Sequence, residues 1–206
     1  MTTSSSSLLQ RIEARLPLER RPWQEHDADG GWPQAAVLVA LTDEQEPRVL
    51  LGRRAMHLPL HPGEVAFAGG KREAGDDSPW DTALRETMEE VGLPRESIEP
   101  LGELDALVTR TGFQVFPCVA SVPMDPALVV DAAEFDSVFF PRLSVFGDRQ
   151  LFRLETITLA GRSRKVPHYQ VGEDNVWGVT AAVLAQLANV AYDAGFDLQR
   201  DWKVEP

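Results

Sequence analysis

Hydrophobic and polar residues follow two different periods along the chain, and together these periods predict a mixture of strands and helices. Residues 36–41 and 48–51 form short apolar segments around a turn-rich stretch, which favours two strands joined by a turn. Further strands are predicted at residues 64–67, 98–107, 113–122, 137–140, 152–159 and 166–171. A final amphipathic helix is predicted over residues 178–194. A short N-terminal helix is predicted from the apolar residues Leu8, Leu9, Ile12 and Leu16.

Another helix is predicted between residues 78 and 92, where the chain carries clear start and stop signals. Ser78 suits the N-cap, Pro79 suits the first helical position, and Asp81 follows the cap by three residues as in a capping box. Gly92 stands where a left-handed residue often ends a helix. We expect the core side of this helix to be formed by Leu84, Met88 and Val91.

The same helix carries three carboxylates, because Glu86, Glu89 and Glu90 stand at i, i+3 and i+4. Like charges at this spacing destabilise an isolated helix by ~0.2–0.5 kcal/mol per pair. The residues alone leave two interpretations open. One is a solvated acidic face in which Arg85 pairs with Glu89. The other is a site for Mg²⁺ or Mn²⁺, which prefer oxygen ligands, with the carboxylates on a different face from the core.

Composition narrows the class of protein. The 206 residues suffice for one domain with a proper core, and 43% hydrophobic with 25% charged residues is ordinary for a soluble protein. A net charge of −12 argues against nucleic acid as the main partner, and no apolar run approaches the ~20 residues that span a bilayer. Cys118 is the only cysteine, which suits the reducing cytoplasm. We expect a disordered tail at residues 1–7 and a single domain at residues 8–206.

The order of these parts resembles the Nudix box, the strand–loop–helix signature of enzymes that hydrolyse a nucleoside diphosphate linked to another group. The box spans about residues 69–93, where a glycine pair leads into an acidic loop and then the capped helix. Its second half, Arg-Glu-aliphatic-x-Glu-Glu-x-Gly-aliphatic, is matched from Arg85 onward, except that Thr87 replaces the aliphatic residue. The loop is one residue longer than the family pattern. Counting back from Arg85 places Asp77 at the position of the loop glutamate.

Residues 50–70 are similar to an additional signature of the coenzyme A diphosphatases within this family. That signature reads Leu-Leu-Thr-x-Arg-Ser/Ala, an arginine four residues on, a glycine four further, and then Phe-Pro-Gly-Gly. The residues that match it are Arg54, Ala55, Gly63, Phe67, Gly69 and Gly70. Its threonine, second arginine and proline are replaced by Gly52, Pro59 and Ala68. The same subfamily has a lengthened box loop, which agrees with the inserted residue.

The resemblance implies an α+β fold, the Nudix α/β/α sandwich around a mixed sheet, with Mg²⁺ or Mn²⁺ as the cofactor. The metal ligands that it implies are Glu86, Glu89, Glu90 and the main-chain oxygen of Gly70. Arg53 and Arg54 follow an apolar strand and are candidates for binding the diphosphate through charge-assisted hydrogen bonds. A surface strand end would explain the two arginines equally well, and the subfamily match favours Arg54.

Catalysis is expected to involve Arg85, which can orient Glu89, together with a general base. Two carboxylates remain open for the base. Glu134 lies in an acidic segment before a predicted strand and matches an acidic position of the resembled subfamily, whereas Glu89 belongs to the box. Divalent cations can neutralise charge on a diphosphate and activate a water molecule, so they suit the expected reaction.

The implied function is therefore metal-dependent hydrolysis of coenzyme A or its thioesters, giving 3′,5′-ADP and a 4′-phosphopantetheine product. The alternative within the enzyme class is hydrolysis of ADP-ribose or another nucleoside diphosphate derivative. The alternative outside it is a Nudix-like domain that senses a nucleotide without cleaving it. A small nucleoside diphosphate is the expected partner, with no nucleic acid and no membrane. Dimers are common in the family, but the sequence shows no exposed stripe that defines a dimer interface.

Overall fold

The structure is a computed structural model that describes residues 7–18, 23, 32–109, 112–159 and 162–198. Its α-helices are α1 (Ser7–Arg15), α2 (Pro79–Val91) and α3 (Gly178–Tyr192). Its strands are β1 (Gln34–Thr42), β2 (Leu51–Arg54), β3 (Val65–Ala66), β4 (Ala68–Lys71), β5 (Glu99–Glu103), β6 (Leu107–Val108), β7 (Gln114–Val122), β8 (Phe135–Phe139), β9 (Phe152–Leu159), β10 (Arg162–Val171) and β11 (Asp174–Trp177). Residues 1–6 of the predicted tail lie outside the described residues, and Ser7 already begins α1.

The described strands form one mixed sheet and two antiparallel sheets. The mixed sheet has the order β4-β1-β7-β5, with β6 also paired to β7. Only the central pair β1 and β7 is parallel among these strands, and the other pairs are antiparallel. The smaller sheets have the orders β3-β2-β8 and β11-β10-β9. Within the described part of the chain, no helix is long and apolar enough to cross a membrane.

Alternate residues of β1 face two separate cores, because successive side chains of a strand point to opposite sides of the sheet. Ala36, Leu38 and Ala40 pack in one cluster with residues of α2. Val39 and Leu41 pack in the other cluster with residues of α1 and α3. The mixed sheet is therefore covered by helices on both faces, which confirms the expected α/β/α sandwich.

The ends of α2 agree with the signals in the sequence. The Ser78 hydroxyl accepts a hydrogen bond from the main-chain N–H of Asp81 at 3.3 Å and donates one to the Asp81 carboxylate at 2.7 Å. Pro79 is the first helical residue, and Gly92 ends the helix in the left-handed conformation with φ of 67°. The predicted caps are confirmed.

The faces of α2 differ from the prediction at three positions. Leu84 and Val91 are buried as expected, but Met88 is exposed. Thr87 takes the core position instead, and its hydroxyl satisfies its own hydrogen-bonding requirement by donating to the carbonyl oxygen of Ala83 at 2.6 Å. Glu90 is also buried, although the sequence pattern placed it on the open face. The buried face of α2 therefore lies closer to the carboxylates than the sequence pattern predicts.

Several strand boundaries also differ from the prediction. Residues 48 and 49 make only isolated bridges, Val49 to Leu41 and Arg48 to Arg142, because this segment crosses from one sheet to another. The predicted strand over residues 98–107 is divided into β5 and β6, with a register irregularity in β5 next to Gly102. Strands β4 and β11 were not predicted. The Gly69–Gly70 pair lies inside β4 and not in a turn.

Leu84→Ala is expected to lower the free energy of unfolding by about 2–5 kcal/mol, because it leaves a cavity between α2 and the sheet. Met88→Ala, one turn further along the same helix, is expected to change it by less than about 0.5 kcal/mol, because its side chain is exposed. Urea denaturation of both variants measures the contrast. Equal losses for the two variants would contradict the observed orientation of α2.

Candidate active site

Strand β4 and helix α2 approach closely where the predicted metal ligands lie. The main-chain N–H of Gly69 donates a hydrogen bond to Glu90 Oε2 at 2.9 Å. At Gly70, a Cβ atom would overlap the carboxylate of Glu86. The absence of a side chain at the second glycine lets this carboxylate lie against the strand, and a Cβ atom there would displace it.

The three box carboxylates occupy different environments. Glu90 is only 5% exposed, whereas the side chain of Glu89 is 58% exposed. Burial, together with the negative charges of Glu86 and Glu134, raises the pKa of Glu90 to about 8 against the opposing effect of the Gly69 hydrogen bond. Burial also raises the pKa of Glu86, although Arg85 counteracts part of this effect. A buried carboxylate cluster of this kind favours either a bound proton or a bound cation.

Arg85 connects the strand, the loop and the helix of the box. Its Nη2 donates to the carbonyl oxygen of Lys71 and to Asp76 Oδ2, both at 3.1 Å. Its Nη1 donates to Glu86 Oε1 at 2.9 Å and to Glu89 Oε2 at 3.2 Å. The predicted orientation of Glu89 by Arg85 is thus present in the structure, together with three further contacts.

Asp76, and not the Asp77 indicated by the box pattern, is the loop acid that binds Arg85. Burial tends to raise the pKa of Asp76, but hydrogen bonds from Arg85 and Thr82 outweigh that effect and hold its pKa below the usual value. Asp77 is exposed, and its carbonyl oxygen accepts a hydrogen bond from the main-chain N–H of Trp23. The spacing of the box pattern could not distinguish Asp76 from Asp77, because the longer loop changes which of the two acids faces the helix.

The segment that carries Glu134 is bound to both sides of this site. The N–H of Asp131 donates to the carbonyl oxygen of Glu90 at 2.8 Å, and the N–H of Ala55 donates to that of Glu134 at 2.9 Å. The Glu134 carboxylate lies 3.6 Å from Nη2 of Arg54. The Nε of Arg54 is buried and has no hydrogen-bond partner among the described residues. The structure therefore brings Arg54 and Glu134 together near Glu90.

Arg53 has a different environment from its neighbour. Its guanidinium forms two hydrogen bonds of 2.7 Å with the carboxylate of Asp174 and one of 3.0 Å with the hydroxyl of Ser137. It also lies over the ring of Phe139, 4.2 Å from the centroid. Sequence reasoning missed Asp174, and no local signal could have found it, because the two residues are 121 positions apart.

The donor set is suited to a hard divalent cation. Among the residues that the structure describes, no group of three or more His, Cys, Asp or Glu side chains is arranged to hold a metal ion. Arg85 binds Glu86 and Glu89, while Glu90 accepts its hydrogen bond from Gly69. The donors are nevertheless all oxygen atoms, and two of the carboxylates are withdrawn from solvent beside a glycine strand. These residues fit Mg²⁺ or Mn²⁺ by their chemistry.

Comparison with known proteins shows the family. A model of the NUDIX domain matches residues 32–153. The chain is 37% identical over 155 residues to the uncharacterized Nudix hydrolase NudL of Enterobacter sp. (strain 638), covering 75% of this chain and 81% of that protein. It is 31% identical over 185 residues to NudL of Photorhabdus laumondii subsp. laumondii, and the match covers 90% of this chain and 96% of that protein. The chain belongs to the Nudix family and is a Nudix hydrolase, an enzyme that acts on nucleoside diphosphate derivatives.

Solved structures show the same fold. A MutT/nudix family protein from Enterococcus faecalis superposes with a TM-score of 0.55 at 20% identity, covering 82% of this chain and 66% of that chain. A NUDIX hydrolase from Alicyclobacillus acidocaldarius gives a TM-score of 0.54 at 21% identity, covering 81% and 96%. At this level of identity the likeness concerns the fold alone. Nudix hydrolases generally use divalent metals such as Mg²⁺ or Mn²⁺, which agrees with the oxygen donors of the site.

Glu90→Gln is expected to stabilise the metal-free protein more at pH 8 than at pH 5. The pKa of Glu90 is about 8 in the folded protein, against ~4.3 for an unperturbed glutamate. As pH rises through this window the unfolded chain loses its proton first, so wild-type stability falls by up to about 1.4 kcal/mol per pH unit. Glutamine does not titrate, so the Glu90→Gln variant does not lose stability in this way as the pH rises.

Thermal unfolding in a chelator at pH 5, 6.5 and 8 measures the effect. Glu89→Gln provides the matched control, because it changes an exposed carboxylate of the same helix. A Glu90→Gln stabilisation that stays constant across the three pH values would show that burial does not raise the pKa of Glu90.

Proposed function

We propose that this Nudix hydrolase cleaves the diphosphate of coenzyme A or its thioesters, giving 3′,5′-ADP and the corresponding 4′-phosphopantetheine. The proposal rests on the placement of the matching residues between 54 and 70 around the box carboxylates. Arg54 lies beside Glu134, and Gly70 lies against Glu86. Gly63 adopts a positive φ of 69° and donates its N–H to the carbonyl oxygen of Arg54 at 2.9 Å. This signature therefore contributes directly to the geometry near the carboxylates.

Glu86, Glu89, Glu90 and the carbonyl oxygen of Gly70 are the residues that would hold Mg²⁺ or Mn²⁺. When bound, such a cation polarises phosphoryl oxygens and lowers the pKa of a coordinated water molecule. Binding must displace the proton that a pKa of about 8 keeps on Glu90 near neutral pH. Metal affinity should accordingly rise with pH over the neutral range.

Arg54 and Glu134 supply the remaining roles in this proposal. The Arg54 side chain is 22% exposed, so its guanidinium can donate charge-assisted hydrogen bonds to a phosphoryl oxygen. Glu134 takes a proton from the attacking water as the new phosphorus–oxygen bond forms and the bridging bond breaks. Glu89 is the competing base. Because Arg53 is bound to Asp174, contact with substrate is proposed for Arg54 alone.

Product analysis distinguishes the candidate substrates. The purified protein is supplied with Mg²⁺ or Mn²⁺ and offered coenzyme A, ADP-ribose, NADH or a diadenosine polyphosphate at equal concentration. We expect 3′,5′-ADP to be released from coenzyme A faster than nucleotide is released from the other three. Faster cleavage of ADP-ribose would assign the alternative substrate class. Cleavage of none of them would favour a domain that binds a nucleotide without hydrolysing it.

Two isosteric substitutions distinguish the candidate bases. Glu134→Gln is expected to lower kcat by about 10²–10⁴-fold, the usual contribution of a positioned general base. Glu89→Gln is expected to have a much smaller effect on kcat at saturating metal. Glu73→Gln is the control, because Glu73 is an exposed acid 4.0 Å from Arg85 that has no proposed role. A large loss in Glu89→Gln with a small loss in Glu134→Gln would reverse the assignment.

A further inference from the structure

The pair formed by Arg53 and Asp174 joins strand β2 to strand β11. Both oxygens of the Asp174 carboxylate accept hydrogen bonds of 2.7 Å from the guanidinium, and the carboxylate side chain is only 18% exposed. Ser137 and Phe139 of β8 contact the same guanidinium. A bidentate arginine–carboxylate pair fixes direction as well as distance, because the planar group can meet two oxygens in only one orientation.

The next residue of β2 lies at an irregularity in the sheet. The pairing of β2 with β8 changes register between Arg53 and Arg54. Bulges of this kind bend a strand and redirect the side chains beside them. Both main-chain polar groups of Arg54 are also bound to one neighbouring segment, since the N–H donates to Glu64 and the carbonyl oxygen accepts from Gly63, each at 2.9 Å. The direction of the Arg54 side chain therefore depends on how this short segment is held.

A second contact attaches the same part of β2 and β3 to the segment that follows β11. The hydroxyl of Thr180, in the first turn of α3, donates to the carbonyl oxygen of Val65 at 3.0 Å. Val65 is the β3 partner of Arg53 in the sheet register. Strand β11 therefore binds Arg53, and the start of α3 binds Val65. These two residues form the cross-strand pair just before the irregularity.

The geometry points to Asp174 as a positioning residue for Arg54. By binding Arg53 and holding β2 at the irregularity, Asp174 keeps the neighbouring Arg54 directed at Glu134 and the phosphoryl site. This inference rests on the proposed role of Arg54 in binding substrate. It makes the β10–β11 hairpin part of the catalytic architecture, although none of the hairpin residues described above is placed in contact with the box carboxylates.

A double-mutant cycle tests the inference, because residues that act through one another give non-additive effects. The variants are Asp174→Ala, Arg54→Ala and the double variant, and kcat/KM is measured on whichever nucleoside diphosphate derivative the wild-type enzyme hydrolyses fastest. We expect Asp174→Ala to lower kcat/KM about tenfold in the wild-type background. In the Arg54→Ala background the same substitution should lower it less than about twofold.

Matched variants separate positioning from a general loss of stability. Asp193→Ala removes another arginine-bound carboxylate, paired with Arg11 and Arg15 at the C-terminal end of α3, and should lower the melting temperature without changing kcat/KM. Asp174→Asn keeps the size of the side chain, and it replaces Asp174→Ala in the double-mutant cycle if that variant does not fold. Asp174→Glu restores the charge and should recover part of the activity.

The outcomes for the two proposals are distinct. Equal losses from Asp174→Ala in both backgrounds, or no loss in either, would overturn the positioning role. An unchanged kcat/KM in Arg54→Ala alone would remove Arg54 from substrate binding, and the positioning role of Asp174 with it. Failure to cleave coenzyme A would overturn only the proposed substrate, since the cycle uses the best substrate found.

Discussion

The guanidinium group of Arg85 joins the three parts of the Nudix box through one set of hydrogen bonds. Strand β4 contributes a carbonyl oxygen, the loop contributes Asp76, and helix α2 contributes Glu86 and Glu89. Only a planar cation with five fixed donors can meet so many oxygens at once. The arrangement offsets part of the repulsion among the acids of the box. Glu90 lies outside this set of contacts, and its raised pKa follows from burial without an equivalent partner.

The site is assembled from segments that are far apart in the chain. The glycine pair in β4 lets α2 come close enough for Glu86 and Glu90 to lie against the strand. The segment carrying Glu134 is attached to α2 on one side and to the residue after β2 on the other. Consecutive arginines in β2 then face different surroundings, one toward β11 and the other toward Glu134. Backbone hydrogen bonds and ion pairs therefore act together in bringing the charged groups to one place.

Local signals in the sequence predicted a large part of this arrangement. The caps of α2 depend on a few neighbouring residues, so Ser78 and Gly92 could be identified from chemistry alone. The mixed sheet with helices on both faces followed from the family resemblance and is confirmed. The failures lie where the outcome depends on contacts across the fold. Thr87 is buried and Met88 is exposed, the reverse of what the apolar pattern favours. The helical period alone does not show which face of α2 packs against the sheet.

The sequence by itself determined the helix of the box, its three carboxylates, the glycine pair beside them and membership of a hydrolase family. Each of these depends on residues within about one helical turn of one another or on a contiguous motif. Only the tertiary structure decided which loop acid pairs with Arg85, that Glu90 is buried, and that Arg53 binds Asp174. Burial and long-range pairing arise when distant segments pack and remove water between them, and a linear order of residues does not contain that information.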